Sequence, residues 1–179
     1  PRFVGHIRRE ASRLVNLIED IIRLSQLDEG MELSAEQVEL LALAEEVKAI
    51  LQPSAEQKDI AFTISGEGFR LTGVRRLLHE LLYNLCDNAI KYNVPGGSVT
   101  VHVEHNRLVV SDTGIGIPAE HQGRIFERFY RVDKSHSKEL GGTGLGLSIV
   151  KHGAAFHRAE LELESREGEG TTIRLVFDA

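Results

Sequence analysis

Four polar side chains near the middle of the chain are spaced to share a ligand. Glu80, Asn84, Asn88 and Lys91 fall within an arc of roughly 80° when the segment 78–92 is placed on a helix at about 100° per residue. Asparagine is a mediocre helix former, so two asparagines in mid-helix indicate a role beyond solvation. The opposite side of the helix is apolar and would face a core; it carries Leu78, Leu82, Leu85 and Ala89.

This polar face suits a phosphate that is bound together with a metal ion. Amide oxygens are uncharged hard donors, so Asn84 and Asn88 could hold Mg²⁺ while the phosphates of a ligand supply negative oxygens. Lys91 would then face phosphate, and Glu80 could act as a base. The alternative is a polar helix surface without a ligand, and this motif alone does not decide between the two.

Two glycine-rich segments offer further ligand contacts. Asp112 ends a predicted strand beside Gly114 and Gly116, where a carboxylate can accept a hydrogen bond from an exocyclic amine and bare backbone lets a flat ring approach. The segment 141–147 leads into a predicted helix, whose free N–H groups and positive end suit phosphate. Taken singly, each could be a turn or a hinge, and a third segment, 168–171, is most simply a hairpin turn.

The segment between these two glycine-rich stretches, residues 120–140, is rich in charge, and we expect it to be mobile without ligand. Phe126 and Phe129 would share a helical face and could dock the segment on the body of the domain. The alternative is an ordinary charged loop with an apolar anchor. The cations that could swing over a terminal phosphate are Arg128, Arg131 and Lys134.

Two better-known phosphate loops fit the sequence less well. The pattern G-x-x-x-x-G-K-[ST] is absent, which excludes a P-loop. Residues 114–119 match the loose dinucleotide pattern G-x-G-x-x-A, but Pro118 and the charged stretch after it are poor material for the required helix. A dinucleotide site is therefore a distant alternative.

The bulk composition limits the function classes. The 179 residues carry 41% hydrophobic content and a net charge of -6, which argues against a nucleic-acid partner or an anionic membrane surface. The single Cys86 fits a reducing compartment. Since no apolar run approaches 18 residues, we expect the chain as given to be soluble. It starts in a helical pattern without an initiator Met, so we expect it to be a piece of a longer protein.

The order of predicted elements favours a two-layer α/β (α+β) sandwich. An apolar stripe at alternating steps of three and four over residues 2–28 predicts one bundle helix, and Gly30 marks a boundary, which gives domains 1–29 and 30–179. Helices and strands then mix without a regular βαβ rhythm, which predicts a mixed, mostly antiparallel sheet. The three helices expected in the sandwich are 41–57, 74–92 and 144–156, with Pro53 kinking or ending the first.

Five motifs together resemble the N, G1, F, G2 and G3 boxes of bacterial sensor histidine kinases, in the right order. They are Glu80-x-x-x-Asn84-x-x-x-Asn88-Ala-x-Lys91-Tyr92, Asp112-Thr-Gly-Ile-Gly-Ile-Pro118, Arg124-Ile-Phe126-Glu-Arg-Phe129-Tyr-Arg131, Gly142-Thr-Gly144-Leu-Gly146-Leu and Gly168-x-Gly170-Thr171. The resemblance covers about residues 30–179. It implies the Bergerat-type ATP-binding sandwich that gyrase, mismatch-repair and heat-shock chaperone ATPases share.

The resemblance also implies roles for the matched residues. Asn88 would be the chief Mg²⁺ ligand, supported by Asn84, and Lys91 would contact phosphate. Glu80 matches the general-base position of related ATPases, and Arg131 would reach toward the γ-phosphate. Around the adenine, Asp112 would bind the amino group, with Tyr92, Gly114, Gly116 and Thr171 lining the pocket. The lid hinge and phosphate cradle would comprise Gly142, Thr143, Gly144, Leu145 and Gly146.

Residues 1–28 resemble the second helix of the family's dimerisation and phosphotransfer hairpin, whereas the acceptor pattern H-E-x-x-x-P is absent from the chain and His6 is read as a surface residue. The resemblance implies a homodimer through this helix, a response regulator receiver domain as partner, and the cytoplasmic portion of a parent protein anchored in the bacterial inner membrane. It implies that this chain is the ATP-binding catalytic portion of such a kinase and presents Mg·ATP for γ-phosphoryl transfer to a histidine on a helix missing from the chain. The alternatives are a gyrase-like or chaperone-like conformational ATPase and a non-catalytic nucleotide-sensing module. One departure is His157-Arg158-Ala159, where the family usually has two glycines after the histidine.

Overall fold

The computed structural model of the chain describes residues 34–132 and 143–178, together with Ala11, Leu14, Val15 and Ile18. These four isolated positions are helical, and the rest of the predicted bundle helix and the boundary near residue 30 lie outside the described residues. None of the described helices combines the length and the apolar character that crossing a membrane requires.

Strands and helices alternate irregularly along the described residues, as the sequence predicts. Their bounds are β1 (Glu36–Glu39), α1 (Leu40–Gln57), β2 (Ala61–Gly66), β3 (Arg70–Gly73), α2 (Arg75–Lys91), β4 (Ser98–Glu104), β5 (Arg107–Asp112), α3 (Ala119–Gln122), α4 (Gly146–Phe156), β6 (Glu160–Arg166) and β7 (Gly170–Val176).

Five strands form one mixed sheet in the order β2-β4-β5-β7-β6. Strand β2 runs parallel to β4, and every other neighbouring pair in this sheet is antiparallel. Strands β1 and β3 form a separate antiparallel pair. The predicted mixed, mostly antiparallel sheet is thus confirmed, and its register places Asp112 of β5 opposite Thr171 of β7.

The longer helices form the second layer of the sandwich, with α2 in contact with both α1 and α4. The apolar side of α2 is buried as its periodicity predicts, and Cys86 lies in this core, where burial raises the pKa of its thiol. Helix α1 continues past Pro53, with Leu51 and Ala55 buried on either side of the proline. Core packing therefore holds the helix together where its local sequence favours a kink.

The prediction that Phe126 and Phe129 share a helical face is wrong. Helix α3 ends at Gln122, and the following residues to 132 form turns and bends, so the two rings have no common helix. Phe129 has a φ of 65° and is 57% exposed, while the neighbouring Ile125 is only 6% exposed. Ile125 is therefore the apolar anchor of this segment.

The turn between α4 and β6 contains Arg158 and Ala159 where the resembled family usually has two glycines. Arg158 adopts a φ of 53°, the left-handed region that glycine enters without strain and that an arginine enters at a cost. The turn keeps the backbone shape that a glycine would favour. The change of residue type therefore carries a local conformational cost.

Candidate functional site

The polar face of α2 forms one wall of the candidate site. Glu80, Asn84, Asn88 and Lys91 are all partly buried, whereas the apolar residues of the same helix are buried. The Asn84 amide nitrogen donates a hydrogen bond to the Glu80 carbonyl oxygen at 2.7 Å. This bond leaves the amide oxygen of Asn84 available to a ligand.

Gly146, the first residue of α4, lies directly against the two asparagines. A Cβ atom added at Gly146 would lie 2.8 Å from Asn84 Oδ1 and 3.5 Å from Asn88 Nδ2. Only a glycine lets the helix end approach the amides this closely. The chain thus brings together two elements that lie about sixty residues apart in sequence.

The first N–H groups of α4, which have no partner within the helix, lie at this junction. No side chain caps the helix through its N-cap residue Leu145, although the Leu145 N–H donates to Thr143 Oγ1 at 3.3 Å. Leu145 is fully buried and packs with Ile149, which fixes the orientation of the helix end. The remaining N–H groups and the positive helix end suit an anionic group beside Asn84 and Asn88.

Asp112 forms a second wall of the site. Its Oδ1 accepts a hydrogen bond from the Gly114 N–H at 2.8 Å, and burial raises the pKa of its carboxyl group. The side chain of Thr171, its neighbour across the sheet, forms a hydrogen bond with Ser165 Oγ at 2.9 Å. The Gly114 N–H of the loop and the Thr171 N–H of β7 thus both hold the carboxylate, and each opposes the effect of burial on its pKa.

The loop after Asp112 is held between α2 and the β6–β7 hairpin. The Ile115 N–H donates to the Tyr92 carbonyl oxygen at 3.0 Å, and the Gly168 N–H donates to the Ile115 carbonyl oxygen at 2.7 Å. Gly116 has a φ of 67°, and an added Cβ would lie 2.0 Å from the Arg166 carbonyl oxygen. The rigid loop thus adjoins the end of α2 that carries Lys91 and Tyr92.

Two charged residues of this region were not predicted from the sequence. Asp87 binds Lys91 Nζ through its Oδ2 at 2.5 Å, and Lys58 donates from its Nζ to the carbonyl oxygens of Ile90 and Lys91 at 3.1 Å and 2.7 Å. Asp87 lies about 20° from Glu80 on the helical projection, so the same periodicity could have found it. Lys58 approaches from the far end of α1, and no local pattern marks it.

The side chain of Glu80 is only 15% exposed. Its Oε2 is buried and makes no hydrogen bond within the described part of the chain, and its Oε1 lies 3.8 Å from Arg76 Nη1. The carboxylate opens on a cleft of about 490 Å³. The cleft is lined by Ile50, Arg75, Arg76, His79, Glu80, Tyr83 and Asn84.

The remaining predicted site residues lie around the segment that links the two glycine-rich stretches. The Gly144 carbonyl oxygen accepts a hydrogen bond from the Phe129 N–H at 2.9 Å, and Gly144 has a φ of 78°. Arg131 is partly buried at the end of the same segment. Gly142 and Lys134 lie outside the described residues.

A two-layer sandwich with this polar helix face defines a nucleotide-binding class of ATPase domains. Residues 73–179 match the family of histidine kinase-, DNA gyrase B-, and HSP90-like ATPases. Because the match covers more than half of the chain, the chain belongs to this ATP-binding family. The family resemblance read from the five motifs is confirmed.

Sensor histidine kinases are among the similar proteins. Sensor histidine kinase YkoH of Bacillus subtilis is 36% identical over 173 residues, covering 96% of this chain and 38% of the relative. Sensor-like histidine kinase SenX3 of Mycolicibacterium smegmatis is 37% identical over 180 residues, covering 97% of this chain and 47% of the relative. The chain thus spans less than half the length of these relatives.

Solved structures agree with this assignment. The mycobacterial sensor histidine kinase MprB matches with a TM-score of 0.66 and 29% identity, covering 80% of this chain and 96% of that structure. Full-length ShkA in complex with AMPPNP matches with a TM-score of 0.77 and 25% identity, covering 99% of this chain and 39% of that structure. The predicted sandwich is therefore confirmed as the fold of a histidine kinase catalytic domain.

Proposed function

We propose that this chain is the catalytic portion of a two-component sensor histidine kinase and presents Mg·ATP so that the γ-phosphoryl group is transferred to a histidine on another helix. The observation that carries the proposal is the close approach of Gly146 to Asn84 and Asn88. It joins two uncharged oxygen donors to the positive end of a helix, and a magnesium-bound polyphosphate needs both.

The residues present fit a magnesium ion. Asn84 and Asn88 would hold it through their amide oxygens, with the phosphates of ATP and water completing the shell, which is the usual composition of a magnesium site in a protein. When bound, the ion supplies charge stabilisation to the reacting phosphoryl group. Neither asparagine brings a negative charge of its own, so the site favours the ion together with its phosphates.

The chain's own residues would act on ATP mainly by binding and orienting it. The Gly114 and Thr171 N–H groups hold the Asp112 carboxylate, whose remaining lone pairs would accept a hydrogen bond from the adenine amino group. The N–H groups at the start of α4 and the Lys91 ammonium group would face the phosphates. Glu80 would accept a proton as the general base, and Arg131 would reach the γ-phosphate.

The relatives also suggest partners for the parent protein. Their names identify sensor kinases, so we propose a response regulator receiver domain as the recipient of the phosphoryl group and a homodimer that forms through the helix of residues 1–29. We further propose that the parent is anchored in the inner membrane and that this portion lies in the cytoplasm. Each is a prediction for the longer protein.

Replacement of Asn88 tests the metal site. We expect Asn88→Ala to abolish magnesium-dependent ATP binding while the melting temperature without nucleotide stays within a few degrees of wild type, since Asn88 is only partly buried. Isothermal calorimetry with ATP in magnesium and in EDTA measures the effect. Glu162→Gln, on strand β6, is the control. Unchanged ATP affinity in Asn88→Ala would remove this residue from the site.

A phosphorylation assay tests the kinase reaction. The chain lacks the acceptor pattern, so we expect labelled ATP alone to leave it unlabelled, and we expect a separately supplied acceptor helix to gain acid-labile label. Substantial ATP hydrolysis without any acceptor would instead favour a conformational ATPase. Nucleotide binding without transfer to a proper acceptor would favour a nucleotide-sensing module.

A further inference from the structure

The lysine expected to contact phosphate is already engaged by a carboxylate. Lys91 Nζ lies 2.5 Å from Asp87 Oδ2, one helical turn away, and neither side chain is more than 36% exposed. A partly exposed ion pair of this kind is only weakly stabilising, so a phosphate can displace the carboxylate. Asp87 therefore competes with any phosphate for Lys91.

Asp87 also shares the ligand-facing side of α2. Its position on the helical projection is adjacent to Glu80 and Lys91, and its side chain is 20% exposed. A bare carboxylate there would repel a polyphosphate, whereas a carboxylate paired with Lys91 presents little net charge. The pair thus neutralises this part of the helix face before a ligand arrives.

Lys58 supplies a second cation at the same helix end. Its Nζ donates to the last carbonyl oxygens of α2 at 2.7 Å and 3.1 Å, which anchors the ammonium group there independently of any carboxylate. Asp87 and Lys91 both act electrostatically on Lys58. Lys58 therefore remains in place to offset the Asp87 charge when Lys91 moves to phosphate.

On the basis of the function proposed above, we propose that Asp87 is a positioning residue that holds Lys91 away from the phosphate site until ATP binds. Lys58 then offsets the negative charge of the Asp87 carboxylate after Lys91 has moved. Asp87 thereby lowers affinity for the phosphate portion of the nucleotide. It leaves recognition of the adenine, at the Asp112 wall, unchanged.

Replacement of Asp87 by asparagine separates these two effects. We expect Asp87→Asn to tighten Mg·ATP binding by about threefold to fivefold, the equivalent of one partly exposed ion pair, and to change adenosine binding by less than twofold. Calorimetry on the 179-residue chain measures both. Glu162→Gln, which removes a carboxylate paired with Arg174 on the sheet, gives the same change in net charge and should leave both affinities unchanged.

A double-mutant cycle shows whether Asp87 acts through Lys91. In a Lys91→Met background, we expect Asp87→Asn to change ATP affinity by less than twofold, because the side chain that Asp87 positions is gone and Lys58 still offsets the Asp87 charge. An equal gain in both backgrounds would mean simple charge repulsion and would overturn the inference. Weaker Mg·ATP binding by Asp87→Asn would also overturn it, because Asp87 would then support the metal.

The two proposals fail in different ways. Wild-type chain that does not bind Mg·ATP contradicts the proposed function itself. Wild-type chain that binds Mg·ATP, with an Asp87→Asn variant of the same ATP affinity, contradicts only the role of Asp87.

Discussion

Asp112 combines structural hydrogen bonds with the capacity to accept a further one from a ligand. Its Oδ1 is bound by the Gly114 N–H, and burial raises the pKa of the carboxyl group. The Thr171 N–H also acts on this carboxylate. Because a carboxylate can accept more than two hydrogen bonds, an adenine amino group can still donate to it. The same side chain therefore shapes the loop and would recognise the base.

Two substitutions distinguish these tasks of Asp112. We expect Asp112→Asn and Asp112→Ala both to weaken ATP binding at least tenfold and to reduce the preference for ATP over GTP, because each removes the acceptor for the amino group. Only Asp112→Ala should also lower the melting temperature, since Asn retains an oxygen for Gly114. Calorimetry and thermal melting give the two readouts. ATP affinity that stays at the wild-type value in both variants would contradict adenine recognition by Asp112.

The junction of α2 and α4 is the element-scale feature on which the site depends. Helix α4 presents a bare backbone at Gly146, and α2 presents amides whose positions are fixed partly by the Asn84 bond to Glu80. The periodicity of α2 predicted this polar face. The contact itself depends on the packing of two helices that are distant in sequence.

A methyl group at this junction should weaken ATP binding while it changes the stability of the fold only slightly. Gly146→Ala would place a Cβ 2.8 Å from Asn84 Oδ1 and force that side chain to break its bond to Glu80. We expect ATP affinity to fall at least tenfold, while the free energy of unfolding changes by no more than about 1 kcal/mol, because alanine is the better helix former. Gly123→Ala is the matched control, since an added Cβ there meets nothing within 4 Å. Equal ATP affinities for the two variants would show that the close approach is unimportant.

At the scale of the whole molecule, the protonation of one histidine is linked to folding. His157 Nε2 accepts a hydrogen bond from the Val74 N–H at 3.0 Å, and its Nδ1 donates to the Gly153 carbonyl oxygen at 2.8 Å. The partners thus require the neutral ring, and burial lowers the pKa of His157. The imidazole joins the start of α2 to the end of α4, the two helices that form the site.

Stability should therefore decrease in mild acid. Because the folded-state pKa lies below the unfolded value of about 6.5, the contribution of His157 is complete above that pH and is lost as the pH falls through the folded pKa. We expect the melting temperature to drop between pH 7.5 and pH 5.5 by less in His157→Gln, whose amide offers an acceptor and a donor but does not titrate. Parallel melting curves for the two proteins would contradict this role.

The amino-acid sequence by itself determined the features that repeat locally. The period of α2 separates its buried leucines from Asn84 and Asn88, and a strand that ends in Asp112 before glycines is a local pattern. Such patterns depend on side chains a few residues apart, so they can be read without knowing the fold. The five motifs, taken together, were enough to predict the family.

Only the tertiary structure decided which distant groups meet. Lys58 reaches the end of α2 from 33 residues away, and Gly146 approaches Asn84 across a helix contact. Phe129 shows the opposite case, since its spacing from Phe126 predicted a helix that the chain does not form. The physical reason is that long-range packing and hydrogen bonds choose among local conformations of similar free energy, and no short segment contains that information.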